Sequence, residues 1–342
     1  MQYLFKIQKK IVPELITLAE NRYTILRTVY YYQPIGRRNL AQKLNISERN
    51  IRNELEFLQC QGFVKISRSG TSITETGRNF LDELDIYIKE IKDIENMEEK
   101  LSDILGLEEV LVVPGELKYS SVKREISRFA ASYLMDIFTD GDTIAVTGGS
   151  TLAQVAESMS YSGKYSDIMV IPGRGGIGEQ VEIQANTVAA KIANKLGGKY
   201  RLLHVPDNLK QKNLEMIVAE PSIQKTLAFL QNTDILIHGV GGAREMAQRR
   251  DIKKQKIENI LQDGAIGEAF GIYFDQEGKI VFSTACVGLS LNDLKKINKV
   301  IAIAGGVNKA RAIIAVVSPE YQDTLITDEL TAREIVKLKG GD

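Results

Sequence analysis

The chain has 342 residues, 44% of them hydrophobic and 26% charged, with 44 Lys/Arg against 44 Asp/Glu. That length fits two domains with ample core, and no apolar run approaches the roughly 18–20 residues that cross a bilayer, which excludes a membrane-spanning helix. Two cysteines without a spacing motif (Cys60, Cys286) and two histidines (His204, His238) exclude a disulfide framework and a histidine-rich metal centre.

The start, residues 1–6, lacks a basic stretch followed by a long apolar one, so no secretion signal is expected and the chain reads as cytoplasmic. Neither a metal nor a cofactor is expected. The overall neutrality hides an asymmetry. Residues 1–79 hold 13 Lys/Arg against 6 Asp/Glu, and the remainder hold 31 against 38. A basic first quarter on a neutral protein is the electrostatic footprint of a polyanion partner at one end.

Residues 36–58 read as two short helices around a tight turn. Leu40, Ala41 and Leu44 form the inner face of the first, Ile46 fills the corner, and Ile51, Leu55 and Leu58 face inward from the second. Ser47 is a natural N-cap, since its hydroxyl can accept from an orphan amide of the next turn. Outward lie Glu48, Arg49, Asn50, Arg52 and Asn53, side chains that suit base edges and phosphates in a major groove.

A plain αα-hairpin with a solvated polar face shows the same spacing, but the next dozen residues favour DNA. Residues 63–66 alternate like a strand, Arg68-Ser69-Gly70 turns, and residues 71–74 return. The pattern predicts a winged helix-turn-helix over 1–78. Arg49, Asn50, Arg52 and Asn53 stand nearest the bases, and Arg37, Arg38, Lys65 and Arg68 meet phosphate.

Over 79–105 the residues Phe80, Leu84, Tyr87, Ile88, Ile91 and Ile94, then Met97, Leu101 and Ile104, recur at three- and four-residue spacing. The spacing predicts a helical linker. Its stripe either packs on the following domain or pairs with a second copy as a coiled coil. Pairing is favoured because helix-turn-helix proteins commonly read two-fold operators, so a homo-oligomer, dimer or tetramer, is expected.

From 106 to 342, β-branched strands alternate with amphipathic helices, the signature of a parallel α/β sheet. Four strands run into glycine-rich turns: Gly148-Gly149-Ser150-Thr151, Gly173-Arg174-Gly175-Gly176, Gly239-Val240-Gly241-Gly242, and Gly305-Gly306 before Lys309 and Arg311. Glycine lets backbone amides approach an anion, and a following helix N-terminus adds partial positive charge. Any one turn can reflect geometry alone. With Arg174, Arg249, Arg250, Lys309 and Arg311 at or near these ends, the set points to a small, multiply charged anion. Glu268 is a candidate acceptor for sugar hydroxyls, or else a helix-start or solvent-facing carboxylate; Gln184 carries the same ambiguity.

The blocks Thr147-Gly148-Gly149-Ser150-Thr151 and Gly267-Glu268-Ala269-Phe270-Gly271, behind a winged helix and helical linker, resemble the SorC/DeoR-type sugar-binding transcription regulators across essentially the whole chain. Pro34-Ile35-Gly36-Arg37-Arg38, Ile46-Ser47-Glu48-Arg49, and Ala304-Gly305-Gly306 with Lys309 are similar to the branch that governs glycolytic genes in Gram-positive bacteria. The resemblance implies a cytoplasmic repressor whose binding to double-stranded operator DNA is modulated by fructose 1,6-bisphosphate or a related phosphosugar.

It also implies an effector site of Gly148, Gly149, Ser150, Thr151, Arg174, Gln184, Arg249, Arg250, Glu268 and Lys309, in a Rossmann-like α/β domain of the phosphosugar-isomerase type. That fold kinship raises a rival reading, an isomerase or deaminase with an appended DNA-binding domain. Against it, the turn His238-Gly239-Val240-Gly241-Gly242-Ala243-Arg244 lacks the Asp-Gly-His block of the deaminases, and Glu268 is a lone carboxylate. A regulator without catalytic residues is the expectation.

Overall fold

The computed structural model describes residues 7–8, 10–115, 119–178, 180–205, 211–318 and 320–340; the opening segment 1–6, on which the expectation of no secretion signal rests, lies outside them. The chain divides into two compact units, Met1–Asn96 and Met97–Asp342.

In the first unit, helix α1 (Pro13–Tyr32) starts with proline at its first turn, where the missing amide costs nothing, and buries Ile16, Tyr23, Ile25, Leu26 and Val29. Helices α2 (Arg37–Leu44) and α3 (Glu48–Cys60) follow, and the expected inner residues Leu40, Ala41, Ile51, Leu55 and Leu58 join one core with α1. Ser47 caps α3, its hydroxyl accepting from the Asn50 amide at 3.2 Å. The wing is an antiparallel hairpin, β1 (Val64–Ser67) and β2 (Gly70–Ile73), stitched to Ile35 through a bridge at Thr71. Gly70 has φ +133° and lies against the Ile35 backbone, where a Cβ would come within 2.9 Å, so the turn end of the wing admits no side chain there.

The expected single linker helix is two helices. Helix α4 (Glu75–Lys92) ends at Asp93, which adopts a left-handed conformation (φ 57°), and α5 (Ile94–Leu105) follows. The α4 stripe serves the first unit: Leu81 and Ile88 are in its core, and Ile91 clusters with Ile16. The first compact unit extends to Asn96, and the α4 part of the stripe expected over 79–105 covers α1. Within the second unit, Glu98 on α5 accepts from the Val112 amide at 2.7 Å, occupying a donor on an edge strand.

The second unit is built on a seven-stranded parallel sheet. Its elements are β3 (Glu109–Val113), α6 (Tyr119–Ile137), β4 (Thr143–Val146), α7 (Ser150–Ser158), β5 (Met169–Pro172), α8 (Ala185–Leu196), β6 (Lys199–Tyr200), α9 (Gln211–Val218), α10 (Pro221–Leu230), β7 (Ile235–Gly239), β8 (Gly241–Gly242), α11 (Ala243–Arg249), α12 (Lys254–Gln262), β9 (Gly267–Ala269), β10 (Ile272–Phe274), β11 (Ile280–Ser283), α13 (Leu291–Leu294), β12 (Lys299–Ile303), α14 (Ala310–Val316), β13 (Thr324–Asp328) and α15 (Glu329–Gly340).

Strand order is β3-β13-β12-β7-β4-β5-β6, so the four strands that enter glycine-rich turns are contiguous at the centre. Ile144, Val146, Ile235, Ile237, Ile301 and Ile303 pack with α6, α7 and α8, while the alternating Ala145, Leu236 and Ala302 are buried on the other face. A second, antiparallel sheet, β11-β10-β9-β8, begins at the turn after β7. It could not be anticipated from the sequence, because strands of two to four residues rich in glycine carry no readable period. Among the described residues no helix is long and apolar enough to cross a membrane, and no cluster of three or more His, Cys, Asp or Glu forms a metal site.

Candidate functional site

The first unit presents an exposed polar face. Arg37, Arg38, Ser47, Glu48, Arg49, Asn50, Arg52, Asn53, Lys65 and Arg68 are all exposed. Arg37, Arg52 and Arg68 line one shared hollow with Glu56, Gln59 and the wing turn, so the second helix and the wing converge there. Two carboxylates hold cations on this face: Arg52 pairs with Glu56 at 2.9 Å and Arg38 with Glu48 at 3.5 Å. Both pairs are solvent-exposed and contribute at most about 1 kcal/mol, which leaves the guanidinium groups able to exchange to phosphate. Glu56 and Gln59 escaped the sequence reading, although Glu56 is legible as the i+4 partner of Arg52. From below, Arg22 on α1 fixes α3 through Glu54 at 2.8 Å and by stacking 3.6 Å from the Phe57 ring.

In the second unit the carboxyl ends of β4, β5, β7 and β12 open into a cleft. All ten residues expected at an effector site line it: Gly148, Gly149, Ser150, Thr151, Arg174, Gln184, Arg249, Arg250, Glu268 and Lys309. Arg311 is exposed and stands apart from it. Gly148 packs on the backbone of residues 183–185, where a Cβ would fall 2.6 Å from the Ile183 carbonyl oxygen. Helix α7 begins at Ser150 with no side-chain cap, so its first amides and partial positive charge face the cleft.

The cleft has two poles. At the inner pole Arg250 and Glu268 form a buried ion pair at 2.8 Å, with side chains 2% and 3% exposed. Glu268 also accepts from the Gly271 amide, and Arg250 approaches the Tyr273 hydroxyl at 3.4 Å. Glu268 is thus neither a helix-start nor a solvent-facing carboxylate. It sits on β9 between Gly241 and Tyr273. Arg174, 3% exposed, donates to Thr284 Oγ1 at 3.3 Å and lies beneath Gly271, where a Cβ would come 2.5 Å from its guanidinium nitrogens. Gln184 is half-buried and donates to the Gly178 carbonyl oxygen at 2.6 Å.

At the outer pole stand Ser150, Arg249 and Lys309, with Glu245 also on the cleft wall. Lys309 Nζ donates to the Val240 carbonyl oxygen at 3.0 Å, and desolvation by burial holds its pKa below the usual lysine value. Thr147 and Phe270, quoted above only within the resemblance blocks, also line the cleft, as does Met246, which no motif marked.

His238, at the end of β7, is fully buried and tilted against Phe270 with ring centroids 4.6 Å apart. Burial depresses its pKa to about 4, and its Nε2 has no hydrogen-bond partner among the described residues. Between about 4 and the ordinary 6.5 the unfolded chain binds this proton and the folded chain does not, so stability rises with pH through that window. Acidification from pH 6.5 to 4 is expected to cost about 3 kcal/mol from this group alone. Urea unfolding at a series of pH values checks it: His238→Phe should flatten that segment of the profile.

Residues 89–337 match the sugar-binding domain family, and residues 18–88 match the CggR N-terminal DNA-binding domain. The chain is 42% identical over 339 residues to the central glycolytic genes regulator of Priestia megaterium, covering 98% of this chain and 99% of that protein. It is 38% identical over 338 residues to the protein of the same name from Bacillus subtilis, with the same coverage. Among solved structures, a chain from Enterococcus faecalis assigned to the SorC family of transcriptional regulators superposes with a TM-score of 0.64 at 38% identity, covering 71% of this chain and all of that one.

Proposed function

The chain belongs to the family of transcriptional regulators that join a CggR-type DNA-binding domain to a sugar-binding domain, and from that premise we propose that it represses central glycolytic genes under control of fructose 1,6-bisphosphate. Its relatives are regulators, and it is a regulator rather than an enzyme. The supporting observation is the convergence of cationic and glycine-hydroxyl groups in one cleft, a donor set suited to a sugar that carries more than one phosphate. Ser150, Thr151 and the start of α7 take one phosphate with Arg249 and Lys309. Arg174 and Arg250 take the other end, and Glu268 and Gln184 accept from hydroxyls.

The protein works in the cytoplasm as a homo-oligomer on a pseudo-symmetric operator, with no further cofactor. Effector binding shifts DNA affinity only through unequal affinity for two arrangements of the protein, a coupling of about 1–3 kcal/mol. A thermal-shift panel of sugar mono- and bisphosphates tests the ligand. A ligand at 100 times its Kd adds about 2.7 kcal/mol to the folded state, so fructose 1,6-bisphosphate should rank first. A panel with no ranked response sinks the effector assignment. In parallel, Arg52→Ala is expected to relax discrimination between operator and random duplex by about 1–3 kcal/mol, read by competition titration.

A further inference from the structure

The helix ahead of the first glycine-rich turn brings one more cation to the outer pole. Lys123, on α6, donates from Nζ to Ser150 Oγ at 2.5 Å. Ser150 is the first residue of the uncapped helix α7 and lines the cleft. Lys123 is half-buried and interacts electrostatically with Glu245 and Arg249, both on the cleft wall, and with Lys309. Glu245 therefore faces Lys123 and Lys309, and Arg249 is the further cation at this pole. We propose that Lys123 is a phosphate-anchoring residue of the outer pole, and that Glu245 is the internal counter-anion which an incoming phosphate displaces.

Charge and position both favour this role. Three mutually interacting cations and one uncapped helix start on the cleft exceed what a single carboxylate neutralises, whereas a phosphate carries close to two charges at neutral pH and three acceptor oxygens. Lys123 needs no rearrangement beyond passing its hydrogen bond from Ser150 to the phosphate held beside it. Glu245 is exposed and belongs to the short helix α11, so it can swing to solvent as the phosphate enters. The pair sets selectivity: a sugar lacking the outer phosphate gains nothing from Lys123 and leaves Glu245 in place.

This inference rests on the phosphosugar reading of the cleft, and the test separates the two. Isothermal titration of the full-length protein with fructose 1,6-bisphosphate, fructose 1-phosphate and fructose 6-phosphate is run on wild type, Lys123→Gln, Lys123→Arg and Glu245→Gln. Loss of the charged hydrogen bond should weaken bisphosphate binding about tenfold in Lys123→Gln. Lys123→Arg should stay within about threefold of wild type, and Glu245→Gln should bind several-fold more tightly. The unliganded melting temperatures should match, and in Lys123→Gln one monophosphate should lose affinity while the other keeps it. Wild-type protein that binds none of the three removes the phosphosugar reading itself. Wild-type binding with Lys123→Gln within twofold of it, or Glu245→Gln no tighter than wild type, overturns this proposal alone; should Lys123→Gln fail to fold, the Glu245→Gln titration decides.

Discussion

Raising monovalent salt from about 50 to 200 mM is expected to weaken operator binding about ten-thousandfold. Each chain offers four exposed cations for phosphate, Arg37, Arg38, Lys65 and Arg68. Two copies on a two-fold operator would neutralise about eight phosphates, which corresponds to a log–log slope of about −7. The exposed pair between Arg38 and Glu48, 3.5 Å apart, is too weak to withhold that guanidinium. Fluorescence anisotropy across a salt series gives the slope. The double change Lys65→Ala with Arg68→Ala should lower its magnitude by about 3 to 4 while preserving the preference for operator over random duplex. Arg52→Ala, on the face proposed to read bases, should do the reverse. If the wing variant kept the wild-type slope, the wing would not be meeting phosphate.

Arg250→Ala is expected to lower the stability of the second unit by about 3–5 kcal/mol. The substitution strands Glu268, 3% exposed, as a buried carboxylate that keeps the Gly271 amide but loses its counter-charge. Chemical denaturation measures the loss. Arg250→Met combined with Glu268→Gln leaves no unpaired charge, keeps an oxygen for the Gly271 amide, and should recover much of the stability without recovering phosphosugar binding. A single variant as stable as wild type would mean that the inner pole is not held by this pair. The result also bears on any binding experiment, because Arg250 serves the architecture of the cleft as well as its charge.

Much of the DNA-binding unit was legible because its determinants are local. Leu40, Ile51, Leu55 and Leu58 fall at helical spacing, Ser47 caps the helix it precedes, and the wing alternates around a glycine turn. The turn of Gly148, Gly149, Ser150 and Thr151 was equally plain, since the strand before it and the helix after it are each recognisable from a few residues. The long amphipathic segment 79–105 was read as apolar along one side, which is correct, but its occupant was not encoded locally. Ile88 meets the core of the first unit, and the break at Asp93 depends on a single left-handed residue.

By itself, then, the sequence determined the helix-turn-helix and wing, the alternation of the principal strands and helices, the basic character of the first unit, and the residue types gathered at the strand ends. The tertiary structure decided the partners. It joined Arg250 to Glu268 across a sheet of very short strands, set Lys123 beside Ser150 from a helix 27 positions away, and sealed His238 from water. Periodicity tells a chain which of its faces is apolar, because that depends on neighbours three or four residues off. Which face it meets depends on how distant segments fill one volume, and side-chain pairing inside that volume is fixed only when the packing is complete.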